Sequence, residues 1–456
     1  MKLISIETKI SEILRNEKKK EICNQVSGDL FSNPALAAAE TLSLRRVANL
    51  LGENGETTME GIIGRANAML AALPYEEEED RSKLDEVRNA VALSSLLTEE
   101  ERKENARPRD SIRPGQVWYD TKGERIQAHG AQIYYEDGVY YWIGENKDYT
   151  RKKGSIWTWG VKVYSSRDLC NWTDLGFLVE PCLTDQNSIL FPTRRLDRPH
   201  VLYNDKTKKY VLWLKYCDES HFAVLTADRL LGPYTIVCPL LRPFGTMSGD
   251  FDLAKDPETG DAYLYWEVNH TSVWGAKLND AYTDTSDSYA VIYDHLEAPF
   301  AREGIAHVLH DGKHYLFSSG MTGYVPNPSQ VAVSDDWLEG YAVQGDPNIG
   351  DTSCASFNSQ FSCIFRVQGT DEYVSVSDRW VPEFVMDRNK YDIIVRSILC
   401  RKDRNIRVSE EEKTMFAAMP MMGTADTSVA DYVWLPLVFN GDKAEIRWAD
   451  EWKPSL

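Results

Sequence analysis

Two polar side chains stand at the ends of one apolar segment, "IQAHGAQIYYEDGVYYWIGENKD", which runs from Ile126 to Asp148. His129 precedes a strand, a Glu-Asp-Gly turn and a second strand, and Glu145 follows them. An imidazole and a carboxylate are groups that can transfer protons in catalysis. The two ends of a hairpin lie side by side, so the pattern predicts a packed hairpin body whose polar ends share one rim.

The composition narrows the class of partner. The 456 residues carry a formal charge of -19, which is the wrong sign for a protein that binds nucleic-acid phosphates. The 13 Trp and 23 Tyr suit a neutral sugar instead, because aromatic faces stack on sugar rings. We therefore expect an oligosaccharide substrate and no nucleic-acid partner.

The sequence shows no sign of a membrane or of an oxidising compartment. No stretch approaches the apolar length of a membrane span, and the N-terminal segment lacks a secretory pattern. We therefore expect a cytoplasmic location and no membrane partner. The eight cysteines are scattered without CxxC spacing, which argues against a zinc site and against a disulfide framework.

Residues 1 to 108 have a helical period. Segments such as "ISEILRNEKKKEICNQV" and "DRSKLDEVRNAVALSSLL" repeat apolar residues every three or four positions, and "ARPRDSIRPG" follows as a proline-punctuated linker. The pattern predicts an all-α helical accessory domain. We expect this domain to serve packing or homo-oligomerisation.

Residues 109 to 456 have an apolar period of two, and one unit recurs five times: a turn rich in Asp, Gly or Lys, then a strand with a tyrosine. The anchor tyrosines are Tyr141, Tyr210, Tyr263, Tyr315 and Tyr373. Each interval has room for four short strands, which predicts an all-β five-bladed β-propeller. A β-sandwich is the alternative, but it gives no reason for even spacing. In a propeller the polar hairpin ends meet at one mouth of the central channel.

Several segments go beyond periodicity. In chain order they are "RPGQVWYDTKGERIQAHGAQIYY", "YSSRDLCNW", "DRPHVLYNDKTKKYVLW", "GTMSGDFDLAKDPETGDAYLY", "GKHYLFSSGMTGYVPNPSQVAV", "FNSQ", "SDRW" and "YVWLPLVFNGDKAEIRWADEW". Together, over about 113 to 452, they resemble glycoside hydrolase family 43, and more narrowly its branch of exo-β-1,3-galactanases. The resemblance implies hydrolysis with inversion, in which an acid protonates the leaving oxygen and a base activates water on the opposite face.

The resemblance implies Glu303 as the catalytic acid, because the family places a Glu at this distance before a blade's turn glycine. Glu297 in "EAPF" is a rival. The family's "RDM"-like motif reads "SGDFDLAKD" here, so Asp250 matches the carboxylate that raises the pKa of the acid, with Asp252 as the alternative. Gly249 stands where the family has Arg, which removes a charge partner.

The base is less well defined. Most of family 43 places an Asp where this chain has "QAHGAQ", which contains no carboxylate. The exo-galactanase branch shares this absence, and there a Gln takes the water-positioning role, which Gln360 of "FNSQ" matches. An amide is a very weak base, so we expect Gln360 to orient the water, with Glu145 as the nearest carboxylate candidate.

Further motif positions suit hydrogen bonds or stacking to one terminal sugar. They are His129, Asn146, Asp197, Arg198, Tyr324, Asn327, Asn358 and Trp380. Trp157 and Trp159 in "SIWTWG" suit either the pocket rim or packing within a blade. No clustered His or carboxylate spacing calls for a metal, so we expect neither a catalytic metal nor a cofactor.

The segment from 387 to about 430 is longer than the family's link between "SDRW" and "YVWLPL". Its stretch "MFAAMPMM" is apolar, and we expect this insertion to wall the pocket or to contact the helical domain. The leading hypothesis is an exo-acting inverting glycosidase that releases galactose from β-1,3-linked galacto-oligosaccharides. The alternatives are an arabinofuranosidase or β-xylosidase of the same fold, and a sugar-binding protein without catalysis.

Overall fold

A computed structural model describes residues 4–6, 8–14, 17–33, 36, 42–50, 55–71, 78–91, 97–152, 154–218, 220–420 and 425–456. These described residues contain eight α-helices and 21 β-strands. The chain divides into two compact units, Met1–Leu84 and Asp85–Leu456. The second unit thus begins before residue 108, and the functional division near that residue stays a prediction.

The first unit is helical. Its helices are α1 (Ile10–Leu14), α2 (Glu17–Ser27), α3 (Leu44–Leu50) and α4 (Gly55–Ala71), and α5 (Glu78–Val91) begins in it. Apolar side chains one helical turn apart, such as Ile10 and Ile13 or Met59 and Ile63, close a core around Phe31. Residues 15 and 16 and 92–96 of the two quoted helical segments lie outside the described residues. None of the described helices is both long and apolar enough to cross a bilayer.

The second unit is a five-bladed β-propeller preceded by α6 (Glu99–Asn105). The blades are β1–β4 (His129–Glu136, Val139–Glu145, Val161–Ser166, Thr173–Val179), β5–β8 (Leu196–Asn204, Lys209–Tyr216, His221–Ala227, Thr235–Leu241), β9–β12 (Ser248–Lys255, Ala262–Val268, Ser272–Leu278, Thr285–Tyr293), β13–β16 (Glu303–His310, Lys313–Ser319, Ser329–Ser334, Ala342–Gly345) and β17–β21 (Asn348–Ile349, Gln360–Arg366, Tyr373–Arg379, Asp431–Asn440, Lys443–Arg447). In the fifth blade β18 is innermost, and β17 pairs in parallel with the outer strand β21. The predicted β-propeller with N-terminal helices is confirmed.

The inner strands β1, β5, β9, β13 and β18 each contact two neighbours and close a ring. The first and fifth blades share an aromatic core that includes the fully buried Trp142, Trp172 and Trp434. Ile112 and Trp452 exchange main-chain hydrogen bonds of 2.8 and 3.0 Å, which joins the start of the propeller to its end. The apolar hairpin of "IYYEDGVYYWIG" therefore packs between blades, and its end residues His129 and Glu145 are register partners.

All five inner strands carry one extra residue near their first residue. The irregularities fall between residues 129 and 132, 197 and 200, 248 and 251, 303 and 306, and 361 and 363. A β-bulge bends the strand and re-aims side chains at the end of a sheet. The same mouth of the channel therefore receives re-aimed residues from every blade.

The insertion forms two helices, α7 (Arg388–Leu399) and α8 (Glu410–Ala418). Its apolar core of Met386, Ile393, Ile394 and Met419 packs against Val325 and Ala355 of the propeller. Met421 and Met422 at the end of "MFAAMPMM" lie outside the described residues. The insertion thus supports two loops on the mouth of the channel, and its contact with the helical domain stays a prediction.

We expect Ile394→Ala to lower the free energy of unfolding by about 2 to 5 kcal/mol, because Ile394 is fully buried and the truncation leaves a cavity. Thermal unfolding measures the loss. The control is Met415→Ala in α8, at a side chain that is 36% exposed, which should change stability by less than about 0.5 kcal/mol. Equal effects of the two variants would contradict this packing.

Candidate active site

At the channel mouth, carboxylates accept hydrogen bonds from main-chain N–H groups of three β-bulges. The main-chain bonds run from Gly130 N to Asp378 Oδ2 (2.9 Å), from Arg198 N to Glu145 Oε1 (2.8 Å) and from Gly304 N to Asp250 Oδ2 (2.8 Å). The donors have left-handed φ values of 54°, 51° and 61°, a region that favours glycine. A Cβ at Gly130 would collide with Glu145 Oε1, so the close approach explains that glycine.

Glu303 begins β13 at this mouth, and Asp250 of the preceding blade lies behind it. Asp250 Oδ1 pairs with Lys215 Nζ at 2.6 Å, and Asp250 Oδ2 lies 3.8 Å from Arg198 Nη1. Burial opposes ionisation, but the charges of Lys215 and Arg198 hold the pKa of Asp250 well below its usual range. Asp250 is therefore a fixed negative charge behind Glu303.

The pKa of Glu303 is shifted in the opposite direction. Burial and the negative charge of Asp250 raise it to about 8, against a smaller effect of Lys215. A carboxyl group with this pKa is protonated at neutral pH and can donate its proton. Two neighbouring carboxyls with opposite shifts are the electrostatic arrangement of an acid and the group that tunes it.

Gln360 begins β18 and contacts Glu303. Its amide nitrogen lies 3.2 Å from Glu303 Oε1 and 2.9 Å from Ser319 Oγ, and its amide oxygen accepts the indole N–H of Trp380 at 3.0 Å. An indole N–H can only donate, so Trp380 fixes which end of the amide is oxygen. Because Oε1 of Glu303 accepts an N–H, the acidic proton belongs on Oε2.

A pocket opens beside this pair. Its lining includes Ser319, Tyr324, Asn327, Asn358, Gln360, Asp378 and Trp380. Trp157, Tyr324 and Trp380 form an arc, with ring centroids 6.2 and 5.4 Å apart. Three partly exposed rings around a polar floor suit a sugar, whose C–H faces stack while its hydroxyls hydrogen-bond.

Asn358 sits in an unusual turn. Ser356, Phe357 and Asn358 have φ values of 52°, 55° and 63°, and non-glycine residues in this left-handed region cost on the order of 1 kcal/mol each. Asp351 Oδ2 holds the turn by accepting the main-chain N–H of Ala355 and of Phe357 at 2.9 and 3.2 Å. Asn358 Oδ1 is buried and has no hydrogen-bond partner among the described residues, so it is available to a ligand.

Glu145, Asp197 and Lys147 form a second buried charge cluster. Lys147 Nζ lies 2.6 Å from Glu145 Oε2 and 3.4 Å from Asp197 Oδ1, and Asp197 also accepts Trp157 Nε1 at 2.6 Å and Cys217 Sγ at 2.8 Å. Burial and the Asp197 charge raise the pKa of Glu145 to about 8. Burial opposes the charge of Asp197, but Lys147 and Lys215 hold its pKa at about 2. Lys147 thus pairs with two carboxyl groups, of which Asp197 is ionised at neutral pH and Glu145 is mostly protonated.

Three side chains that were predicted to contact the sugar instead form hydrogen bonds with other groups of the protein. His129 is fully buried, with Nδ1 2.8 Å from Asp378 Oδ1 and Nε2 3.1 Å from Gln127 Oε1. Asn327 uses both ends of its amide on Gly320, at 2.5 and 2.9 Å, and so fixes the loop that carries Tyr324. Asn146 is buried, and its Oδ1 accepts the main-chain N–H of Asp148 at 2.9 Å.

Arg198 also differs from the expectation. It is 3% exposed, and its guanidinium donates to main-chain carbonyls of Ile305 and Phe361. Its two Nη atoms are satisfied by these carbonyls, whereas its buried Nε has no hydrogen-bond partner among the described residues. The structure thus gives Arg198 a place in the protein framework.

A family comparison agrees with this geometry. The sequence profile of glycosyl hydrolases family 43 matches residues 126–356, just over half of the chain. The chain belongs to this family. The resemblance inferred from the sequence motifs is confirmed. No curated protein matches the chain.

Solved structures of family 43 enzymes share the fold. A β-1,3-galactosidase is 26% identical with a TM-score of 0.60, over 75% of this chain and 63% of its own length. An exo-β-1,3-galactanase from Phanerochaete chrysosporium, a Glu-to-Gln variant with β-1,3-galactotriose, is 22% identical with a TM-score of 0.60, over 76% of this chain and 69% of its own. An exo-β-1,3-galactanase from Clostridium thermocellum is 24% identical, with a TM-score of 0.57. This match covers 75% of the present chain and 66% of the Clostridium chain. The chain spans less than two thirds of the first of these structures.

Glu297 and Asp252, the alternatives to Glu303 and Asp250, have different surroundings. Glu297 is 55% exposed and pairs with Lys402 at 2.7 Å, away from Gln360 and Asp250. Asp252 lies further along β9, where its carboxylate accepts the main-chain N–H of His307 at 2.7 Å and lies 3.1 Å from His200 Nδ1. These contacts favour Glu303 and Asp250 over their rivals.

Gly249, where the family has Arg, leaves room for another side chain. A Cβ at this position would overlap the carboxylate of the buried Glu267. The positive charges beside Asp250 come from Lys215 and Arg198 on the neighbouring blade. Sequence reasoning missed Lys215 and Lys147, although a lysine inside an apolar strand such as "YVLWLKY" signals a buried partner. Among the described residues, no three His, Cys, Asp or Glu side chains are grouped as metal ligands.

Proposed function

We propose that this family 43 glycosidase is exo-acting and inverting, and that it releases terminal galactose from β-1,3-linked galacto-oligosaccharides. The observation that carries the proposal is Glu303, a carboxyl with a raised pKa that contacts Gln360 beside a pocket with aromatic walls. The choice of sugar is supported by the 26% identical β-1,3-galactosidase. A cytoplasmic location, the absence of nucleic-acid and membrane partners and homo-oligomerisation stay predictions.

In this proposal the terminal galactose stacks on the arc of Trp157, Tyr324 and Trp380. Glu303 donates its proton to the glycosidic oxygen as that bond breaks, and Asp250 keeps the proton on Glu303 until that moment. Asn358 Oδ1 accepts a sugar hydroxyl. We propose that the pocket receives one chain end, which would make the enzyme exo-acting.

Gln360 is proposed to orient the attacking water, which loses a proton to bulk water as its oxygen bonds to the anomeric carbon. The acid and the water-activating group of an inverting enzyme stand about 6.5 to 9.5 Å apart, whereas Gln360 Nε2 and Glu303 Oε1 are 3.2 Å apart without substrate. The sugar therefore has to break this hydrogen bond as it enters. Glu145 is the alternative base, and its oxygens are held by Lys147 and Arg198.

The deciding experiment incubates the purified protein with β-1,3-galactobiose and follows the anomer of released galactose by proton NMR. We expect α-galactose first, which establishes hydrolysis and inversion together. Initial β-galactose would refute inversion. Hydrolysis of nitrophenyl arabinofuranoside or xyloside in place of the galactoside would identify another sugar specificity. If nitrophenol is released from none of these substrates, the hypothesis of a sugar-binding protein without catalysis is favoured.

The role of Gln360 is tested by comparing Gln360→Ala with Glu145→Gln. Loss of the group that activates water lowers kcat by about 10² to 10⁴-fold, and we expect this loss for Gln360→Ala with little change in KM. Glu145→Gln should reduce kcat less, because the amide keeps the bond from Arg198 N. A larger loss in Glu145→Gln, with the acidic limb of the pH profile moved, would assign the base to Glu145.

A further inference from the structure

Arg198 contacts every blade at the active-site end of the propeller. It belongs to β5 of the second blade, and its main-chain N–H donates to Glu145 Oε1 of the first at 2.8 Å. Its guanidinium lies 3.8 Å from Asp250 Oδ2 of the third blade. It donates to Ile305 O of the fourth blade at 3.1 Å and to Phe361 O of the fifth at 3.1 and 3.3 Å.

The backbone at Arg198 is strained to make these contacts. The equivalent bulge positions of the first and fourth blades are Gly130 and Gly304, with φ values of 54° and 61°. Arg198 has the same left-handed conformation, at φ 51°, although it carries a side chain. Such strain persists only where the surrounding structure imposes it, and it concentrates at functional sites.

The two carbonyl groups that Arg198 binds lie beside the reacting groups. Ile305 is two residues after Glu303 on β13, and Phe361 directly follows Gln360 on β18. A planar guanidinium presents several N–H donors in a fixed fork, which a flexible ammonium does not. The fork therefore sets the separation of the strands that carry Glu303 and Gln360.

We propose that Arg198 is a positioning residue, an axial hub that fixes Glu303, Gln360 and Glu145 relative to one another and does not itself bind the sugar. The inference deepens the proposed function. The expected change in kcat rests on that function, whereas the expected change in the thermal unfolding midpoint does not.

The first test compares Arg198→Ala, Arg198→Lys and the wild type. We expect kcat to fall by about 10²-fold in Arg198→Ala with KM changed by less than about threefold, because misplacement of catalytic groups by 1 Å costs about this much. Arg198→Lys keeps the charge beside Asp250 but loses the fork, so it should recover only part of kcat. The matched control is Arg366→Ala at the far end of β18, a side chain that is 54% exposed.

The second test is chemical rescue, which works whether or not the substrate is known. Low-millimolar guanidinium chloride should raise the thermal unfolding midpoint of Arg198→Ala by refilling the axial site, and should leave that of the wild type and of Arg366→Ala unchanged. It should also restore part of the galactobiose activity. If Arg198→Ala does not fold, Arg198→Lys carries the kcat and KM comparison.

Two results would overturn the proposal. One is a tenfold or larger rise in KM of Arg198→Ala with unchanged kcat, which would make Arg198 a sugar contact. The other is wild-type kcat in both variants together with no effect of guanidinium on the unfolding midpoint. A wild type that is inactive on galactobiose would refute the proposed substrate, and guanidinium stabilisation of Arg198→Ala would still support the hub.

Discussion

Glu303→Gln is expected to lower kcat/KM on β-1,3-galactobiose by about 10² to 10⁴-fold, because the amide cannot protonate the leaving oxygen. The substitution keeps the size of the side chain and its contact with Gln360. A nitrophenyl glycoside, whose leaving group departs without protonation, should lose much less. Steady-state kinetics on the two substrates separates loss of the acid from loss of the fold.

The control for this prediction is Glu297→Gln. Glu297 is 55% exposed and forms a surface ion pair with Lys402, so its substitution should leave both rates unchanged. Retention of more than a tenth of galactobiose activity in Glu303→Gln would remove Glu303 from the role of acid. Equal losses on both substrates would indicate a damaged pocket instead.

Asp250→Asn is expected to move the alkaline limb of the pH profile of kcat/KM to lower pH. In the wild type this limb reports deprotonation of Glu303, whose pKa is raised to about 8 by burial and by the Asp250 charge. The variant removes that negative charge and leaves Lys215 Nζ facing Glu303, so the pKa of Glu303 falls. Activity at neutral pH should drop by about tenfold or more and recover as the pH is lowered.

This dependence has a matched control and a clear contrary result. Asp205→Asn removes a carboxylate that is 62% exposed and pairs with Lys255 at the far end of β9, so the pH profile should not move. An unchanged alkaline limb in Asp250→Asn would show that Asp250 does not tune Glu303. A uniform loss at every pH would assign Asp250 a positioning role through Gly304 N.

The resemblance to family 43 implied Glu303 as the acid and Asp250 as the carboxylate beside it. Glu303, Asp250 and Gln360 each lie at the start of an inner strand, and a repeated strand pattern with fixed turn signals places such residues at one mouth of a propeller. Trp380, Tyr324 and Asn358 follow the same logic and line the pocket. Local patterns place these side chains at one mouth because each blade repeats one supersecondary unit, and their catalytic and binding roles stay predictions.

Contacts between blades were beyond this reasoning. The assignments of His129 and Arg198 as sugar contacts rested on their positions in motifs, whereas in the structure His129 contacts Asp378 and the Nη atoms of Arg198 donate to main-chain carbonyls of other blades. Which partner satisfies a buried polar atom depends on residues that are far apart in sequence. No pattern within one strand specifies that partner.

By itself, the sequence determined the β-propeller, its N-terminal helices and the family motifs, because strand period, turn residues and repeat length are local properties of the chain. Only the tertiary structure decided which charge faces which. It pairs Lys215 with Asp250, shares Lys147 between Glu145 and Asp197, and sets Arg198 on the axis of all five blades. Electrostatic effects depend on distance in space and on burial, and closure of the ring creates both.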